Sequence, residues 1–193
     1  MAFTLFSRTR ARSTLEPPVV EPEPWPETGE TWTPEGVTVV ERYTNQTGAV
    51  VFVFSTDDQS YHHVVACLGC HYAQSTDPDK RYSSGLTLTD AGRIANAHAT
   101  SCRALPRDIP ARPDDDAARE QLRIWVRSMP RRDEDVRLYL RDFNLGRLIL
   151  QRTNAWIDTE LQRLADDEPT VLHCRRSEYS GCLEFLILHQ PGN

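Results

Sequence analysis

The chain has 193 residues, a formal charge of −6, a pI near 5.5 and 39% hydrophobic residues. That length allows one domain with a real core or two very small ones, and the acidic balance excludes a protein coated all over in positive charge. No apolar run approaches the ~18–20 residues of a membrane span, and the arginines at 8, 10 and 12 follow only a short apolar stretch with no signal-peptide core, so a cytoplasmic protein with no membrane partner is expected.

Residues 1–35 read as a disordered tail. Pro17, Pro18, Pro22, Pro24, Pro26 and Pro34 oppose helix and ladder, while Glu16, Glu21, Glu23, Glu27, Glu30 and Glu35 have no basic residue among them. At its start, Phe3, Leu5 and Phe6 beside Arg8, Arg10 and Arg12 have the form of a short docking motif, although an ordinary frayed terminus suits the same residues. Such a stretch has too little apolar surface to belong to the core, so removing 1–35 is expected to leave the fold intact; if it does not, Trp32, which adjoins the first strand, is the first residue to suspect.

From residue 37 the pattern turns to strand. Stretches 37–44 and 49–55 are rich in Val, Tyr and Phe, with Asn45-Gln46-Thr47-Gly48 as turn residues between them. A third strand, 61–66, runs directly into Cys67-Leu68-Gly69-Cys70. Both cysteines of such a knuckle point the same way, with backbone N–H groups behind them and Gly69 easing the turn. His62 and His63 lie on opposite faces of that strand and read as surface or core-edge residues.

The next stretch to carry chemistry is 89–103, a helix that Thr89 is placed to cap and in which His98 and Cys102 stand four apart on one face. Cys67, Cys70, His98 and Cys102 together supply three thiolates and an imidazole, a donor set suited to one tetrahedral Zn2+. The set resembles a C2HC zinc finger in ligand type and in strand-then-helix order, over residues 67–102 only. Its 27-residue interval from Cys70 to His98 departs from the roughly 12 of groove-reading fingers. The resemblance implies structural zinc more firmly than any activity, and groove reading cannot be carried over from it. Three other readings compete: c-type haem attachment through Cys67-Cys70-His71, a redox pair, and unligated core cysteines. An odd total of five cysteines argues against a disulfide framework.

Prolines 106, 110 and 113 punctuate a linker ending in Asp114-Asp115-Asp116, which caps a helix over 117–129. Ala118, Leu122, Trp125, Val126 and Met129 form its apolar face, beside a basic stripe of Arg119, Arg123 and Arg127. After Pro130, residues 136–143 fit helical spacing, although Val136, Leu138 and Leu140 also alternate as in a strand; helix is the expectation. A longer helix follows over 145–165. Stretches 170–176 and 182–189 then form a hairpin expected to join the main sheet, its second strand buried on both faces. Cys174 and Cys182, with His173 and His189, raise a second metal site, but their irregular spacing suits core thiols better.

The fold class expected is α+β: a small antiparallel sheet with a zinc knuckle and a ligand-bearing helix, then helices and a C-terminal hairpin. The division is 1–35 tail, 36–112 zinc-binding meander and helix, and 113–193 helical segment with hairpin packed on the same core. Residues 117–152 carry nine Arg against five acids, so Arg119, Arg123 and Arg127 are the expected contact for a protein or nucleic-acid partner, against the alternative of a solvated face laced with internal ion pairs. No phosphate loop, nucleophile elbow or zinc-protease helix is present in the sequence. A binding module is therefore expected rather than a metal-dependent enzyme.

Overall fold

A computed structural model describes residues 29–56, 62–77, 85–129, 134–178 and 181–188. Most of the expected tail, including the Phe3/Leu5/Phe6 motif, and His189 lie outside the described residues. The architecture is α+β, with a four-stranded antiparallel sheet, helices and a second, three-stranded sheet.

The first sheet has the order β1 (Thr38–Thr44), β2 (Val50–Ser55), β3 (His63–Cys67), β4 (Ala73–Gln74). Every residue of β2 is buried, as a continuous Val-Val-Phe-Val-Phe run requires when both faces of a strand are covered. Side-chain alternation sorts the two faces. Val51 and Val53 on β2 join Val65 and Cys67 on β3 beneath helix α1 (Leu88–Ser101), while Val50, Phe52, Phe54, Val64 and Ala66 face the other way. That second face is closed by Trp32, Leu145, Leu148 and Ile109.

Trp32 is only 3% exposed, meets Phe52 edge-on at 5.9 Å between ring centres, and its carbonyl accepts from Arg42 Nη2 at 2.8 Å. The packed structure thus reaches at least four residues further toward the N-terminus than a tail ending at residue 35.

The second part comprises α2 (Asp115–Ser128), β5 (Val136–Leu138), a 3-10 turn (Leu140–Phe143), α3 (Leu145–Leu150), α4 (Asn154–Asp167), β6 (Leu172–Arg176) and β7 (Leu183–Ile187). Asp114 Oδ1 caps α2 by accepting the Ala117 N–H at 2.8 Å, as the acidic triplet indicated. Ala118, Leu122 and Val126 of α2 and Ile157, Leu161 and Leu164 of α4 pack with Leu138, Leu172, Phe185 and Ile187 of the sheet.

Four sequence expectations change here. Residues 136–138 are strand rather than helix, with only a 3-10 turn left at 140–143: β5 pairs Val136 with Ile187 and Leu138 with Phe185, and the alternation outweighed the helical spacing because an edge of β7 was available to pair. The hairpin of β6 and β7 does not join the main sheet but forms its own, in the order β5-β7-β6. The 145–165 helix is broken at Gln151, which is left-handed (φ 48°), and restarts where Thr153 Oγ1 accepts the Trp156 N–H at 3.2 Å. Thr87, not Thr89, caps α1, accepting from Asp90 N–H at 3.2 Å.

Tertiary hydrogen bonds explain the break. Arg147, fully buried, donates through Nη1 to Arg152 O (2.9 Å) and through Nη2 to Asn154 Oδ1 (2.7 Å) and Gly36 O. Asn154 Nδ2 in turn donates to Thr56 O at 2.7 Å. These bonds fasten the start of α4 to the first sheet, and a helix continuing through 151–153 would not free the Arg152 carbonyl for them. Burial lowers the Arg147 pKa to about 10, opposed by the nearby Asp158 carboxylate.

Candidate metal centre

Strand parity, a tight turn and a helix end converge at one place. Cys67 is the last residue of β3 and, two residues after Val65, faces α1. Its N–H donates to Tyr72 O (2.9 Å) and its carbonyl accepts the His71 N–H (3.0 Å), closing the turn that joins β3 to β4. The left-handed residue of this turn is His71 (φ 63°), not Gly69. Gly69 is needed for another reason: a Cβ there would stand 2.8 Å from Ala49 Cβ, 2.9 Å from Leu105 O and 3.0 Å from Ala104 Cβ.

On the helix side, Ala91, Ala95 and Ala99 of α1 are buried, and small side chains let its axis lie close over the sheet. His98 occupies the last turn, and Cys102 is the C-cap, its N–H donating to His98 O at 2.8 Å. The four-residue spacing therefore survives to the helix end and sends both side chains toward Cys67 and Cys70.

The ligand atoms of Cys67, Cys70, His98 and Cys102 all lie within 4.8 Å of one another, and Cys70 Sγ is 3.3 Å from His98 Nε2. An ion bonded at ~2.3 Å to sulfur and ~2.0 Å to nitrogen would set tetrahedral edges of about 3.5–3.8 Å, so the quartet can hold a metal ion with little adjustment. His71 is exposed and outside the group.

Electrostatics divide the thiols. Burial pushes the Cys67 thiol up to about 11, opposed by the backbone N–H groups of Cys70 and Gly69, the amides expected behind a knuckle sulfur. Cys102 is shifted down, first by the Ala104 N–H that donates to its Sγ at 3.5 Å. Burial lowers the His98 pKa, and Tyr72 stacks on its ring at 4.1 Å with 11° between planes. A neutral imidazole is the form that ligates metal.

Two residues that the sequence did not single out hold the centre together. Asn45 Nδ2 donates to Ala104 O at 2.9 Å, and Arg107 Nε donates to Gly69 O at 2.9 Å. Read alone, Asn45 was one turn residue among four. Only its 5% exposure marks it, and burial of a turn asparagine is not visible in a sequence.

The other residues considered for function fall elsewhere. Arg119 pairs with Asp116 and Glu160, Arg123 with Glu120 and Glu168, and Arg127 donates twice to Glu168, at 3.0 and 2.8 Å. The stripe is thus laced to acids of its own helix, to Glu160 on α4 and to Glu168 at the end of that helix. Cys174 packs against the core of the second sheet, and burial raises its pKa. Among the described residues, neither Cys174, Cys182 nor His173 belongs to a metal-binding group. Also among the described residues, no helix is long and apolar enough to cross a membrane.

Comparison with protein families, curated proteins and solved structures finds no match to this chain.

Proposed function

We propose that this chain is a non-enzymatic binding protein in which β3 and α1 are held together by one structural Zn2+ at Cys67, Cys70, His98 and Cys102. The observation that carries the reading is the gathering of four donors, from a strand end, a turn and a helix end, within 4.8 Å. Three sulfurs and one nitrogen make up a closed tetrahedral shell, whereas catalytic zinc keeps a position for water. The same closeness favours an ion over haem, because the helix end fills the space in front of Cys67 and Cys70 where a macrocycle would lie. Borderline-soft zinc suits thiolates better than magnesium or calcium do.

The partner-binding half of the reading places the contact on the α2 face of Arg119, Arg123 and Arg127. Along α2 and α4, four arginines (119, 123, 127 and 163) pair with five carboxylates (Asp116, Glu120, Glu160, Asp167 and Glu168). Such a mixed surface complements another protein better than a polyphosphate, which rewards unpaired positive charge. A protein partner is therefore favoured over nucleic acid.

Metal analysis tests the site. The purified protein is expected to hold one zinc per chain; Cys67→Ser and Cys102→Ser abolish stoichiometric zinc and Cys174→Ser does not. Structural zinc contributes an apparent ~10–16 kcal/mol in finger peptides, comparable with a domain's whole stability of ~5–15 kcal/mol, so the first two variants also lose the fold around α1. Equal zinc in all three sinks the assignment, and a Soret band in the wild type revives haem.

A further inference from the structure

Asn45 lies in the turn between β1 and β2, 22 residues before the first ligand of the metal centre. Its Oδ1 accepts the N–H groups of Ala49 (2.8 Å) and Thr47 (3.0 Å). With that oxygen surrounded by donors the amide has one orientation, and Nδ2 must point away from the turn. It meets Ala104 O at 2.9 Å, and the Thr47 hydroxyl reaches the same carbonyl.

The segment so clasped is the one that follows the last ligand. Helix α1 ends at Ser101, and Cys102 has left helical geometry (ψ 136°), so the helix no longer fixes the direction of the chain beyond it. What fixes it is the clasp at Ala104, whose N–H donates to Cys102 Sγ. Gly69 lets the same segment lie against the knuckle. Groups outside the coordination shell that orient a ligand in this way normally set metal affinity as well.

Resting on the zinc reading above, we infer that Asn45 is a positioning residue of the metal centre: it holds residues 102–104 so that the Ala104 N–H faces Cys102 Sγ and the sulfur stays in reach of the other three ligands. The alternative is that Asn45 serves the β1–β2 turn alone.

Two variants of the full-length chain separate these roles, with zinc affinity measured by competition against a chromophoric chelator and the site observed through bound Co2+. Asn45→Asp keeps acceptors for Thr47 and Ala49 but turns an oxygen, in place of an N–H, toward the Ala104 carbonyl. The expected result is a zinc Kd raised about 10- to 100-fold and an altered thiolate-to-cobalt charge-transfer band, with unchanged far-UV circular dichroism. Thr47→Val removes the second donor to Ala104 O, and the expected rise is several-fold. Affinities of both variants within twofold of wild type overturn the inference, as does an Asn45→Asp cobalt spectrum superimposable on the wild-type one. Should Asn45→Asp not fold, Thr47→Val decides alone by the same twofold criterion. A wild type that takes up neither zinc nor cobalt refutes the metal reading itself, and that result is visible before any variant is compared.

Discussion

Gly69→Ala joins the fold to the metal centre in one methyl group. The added Cβ would stand 2.8 Å from Ala49 Cβ and 3.0 Å from Ala104 Cβ, well inside the ~3.5–4.0 Å optimum for carbon pairs, and 2.9 Å from a backbone oxygen, Leu105 O. Ala49 is buried next to the start of β2 and has little room to retreat, so the 104–105 segment must lift. Lifting it breaks the Asn45 clasp and draws Cys102 away from Cys67 and Cys70. Overpacking of this kind costs about 1–3 kcal/mol, which corresponds to a zinc Kd weakened about 5- to 150-fold if the strain is borne by the loaded form. In urea, with a slope of ~2 kcal/mol/M, the zinc-loaded protein should unfold roughly 0.5–1.5 M earlier. Chelator competition and urea titration of the loaded protein measure the two quantities. A variant with wild-type zinc affinity and an unmoved urea midpoint would show that the turn and the segment after α1 do not press on each other.

Trp32→Ala tests whether the packed structure begins before residue 35: truncating a buried Trp costs about 3–5 kcal/mol, so the thermal midpoint should fall steeply, and a midpoint within about 2 °C of wild type refutes the packing on Phe52. Replacing Arg119, Arg123 and Arg127 together by Gln probes the α2 face. Three free phosphate contacts would give the wild type a log–log salt slope for duplex DNA near −3, but arginines already paired to Glu160 and Glu168 should give a slope near zero in wild type and variant alike. A steep slope lost in the variant would restore nucleic acid as the partner.

The identity of the four donors and the order in which they arrive were legible from spacing. A two-residue gap in Cys67-x-x-Cys70 and a four-residue gap from His98 to Cys102 each prescribe a local geometry, knuckle and helix face, that needs no distant partner. The hairpin of β1 and β2, the third strand, the α1 and α2 helices and the Asp114 cap were readable on the same ground, since periodicity, turn residues and caps act within a few residues. Where local signals were evenly matched, tertiary partners decided. Residues 136–138 became strand because β7 offered an edge, and the helix after 145 broke because Arg147 recruits the carbonyls of Arg152 and Gly36.

Distance along the chain hid the rest. No local pattern relates Asn45 to Ala104, Gly69 to Leu105 or Trp32 to Phe52, because each pair is made only when separate segments are packed together. The second sheet stands apart from the first for the same reason: an alternating strand declares that it has two faces but not which neighbour it will pair with. Charge behaved likewise. Arg119, Arg123 and Arg127 form a basic stripe when counted along one helix, and a compensated one once α4 brings Glu160 and Glu168 beside them, because a carboxylate's field acts through space and not through sequence.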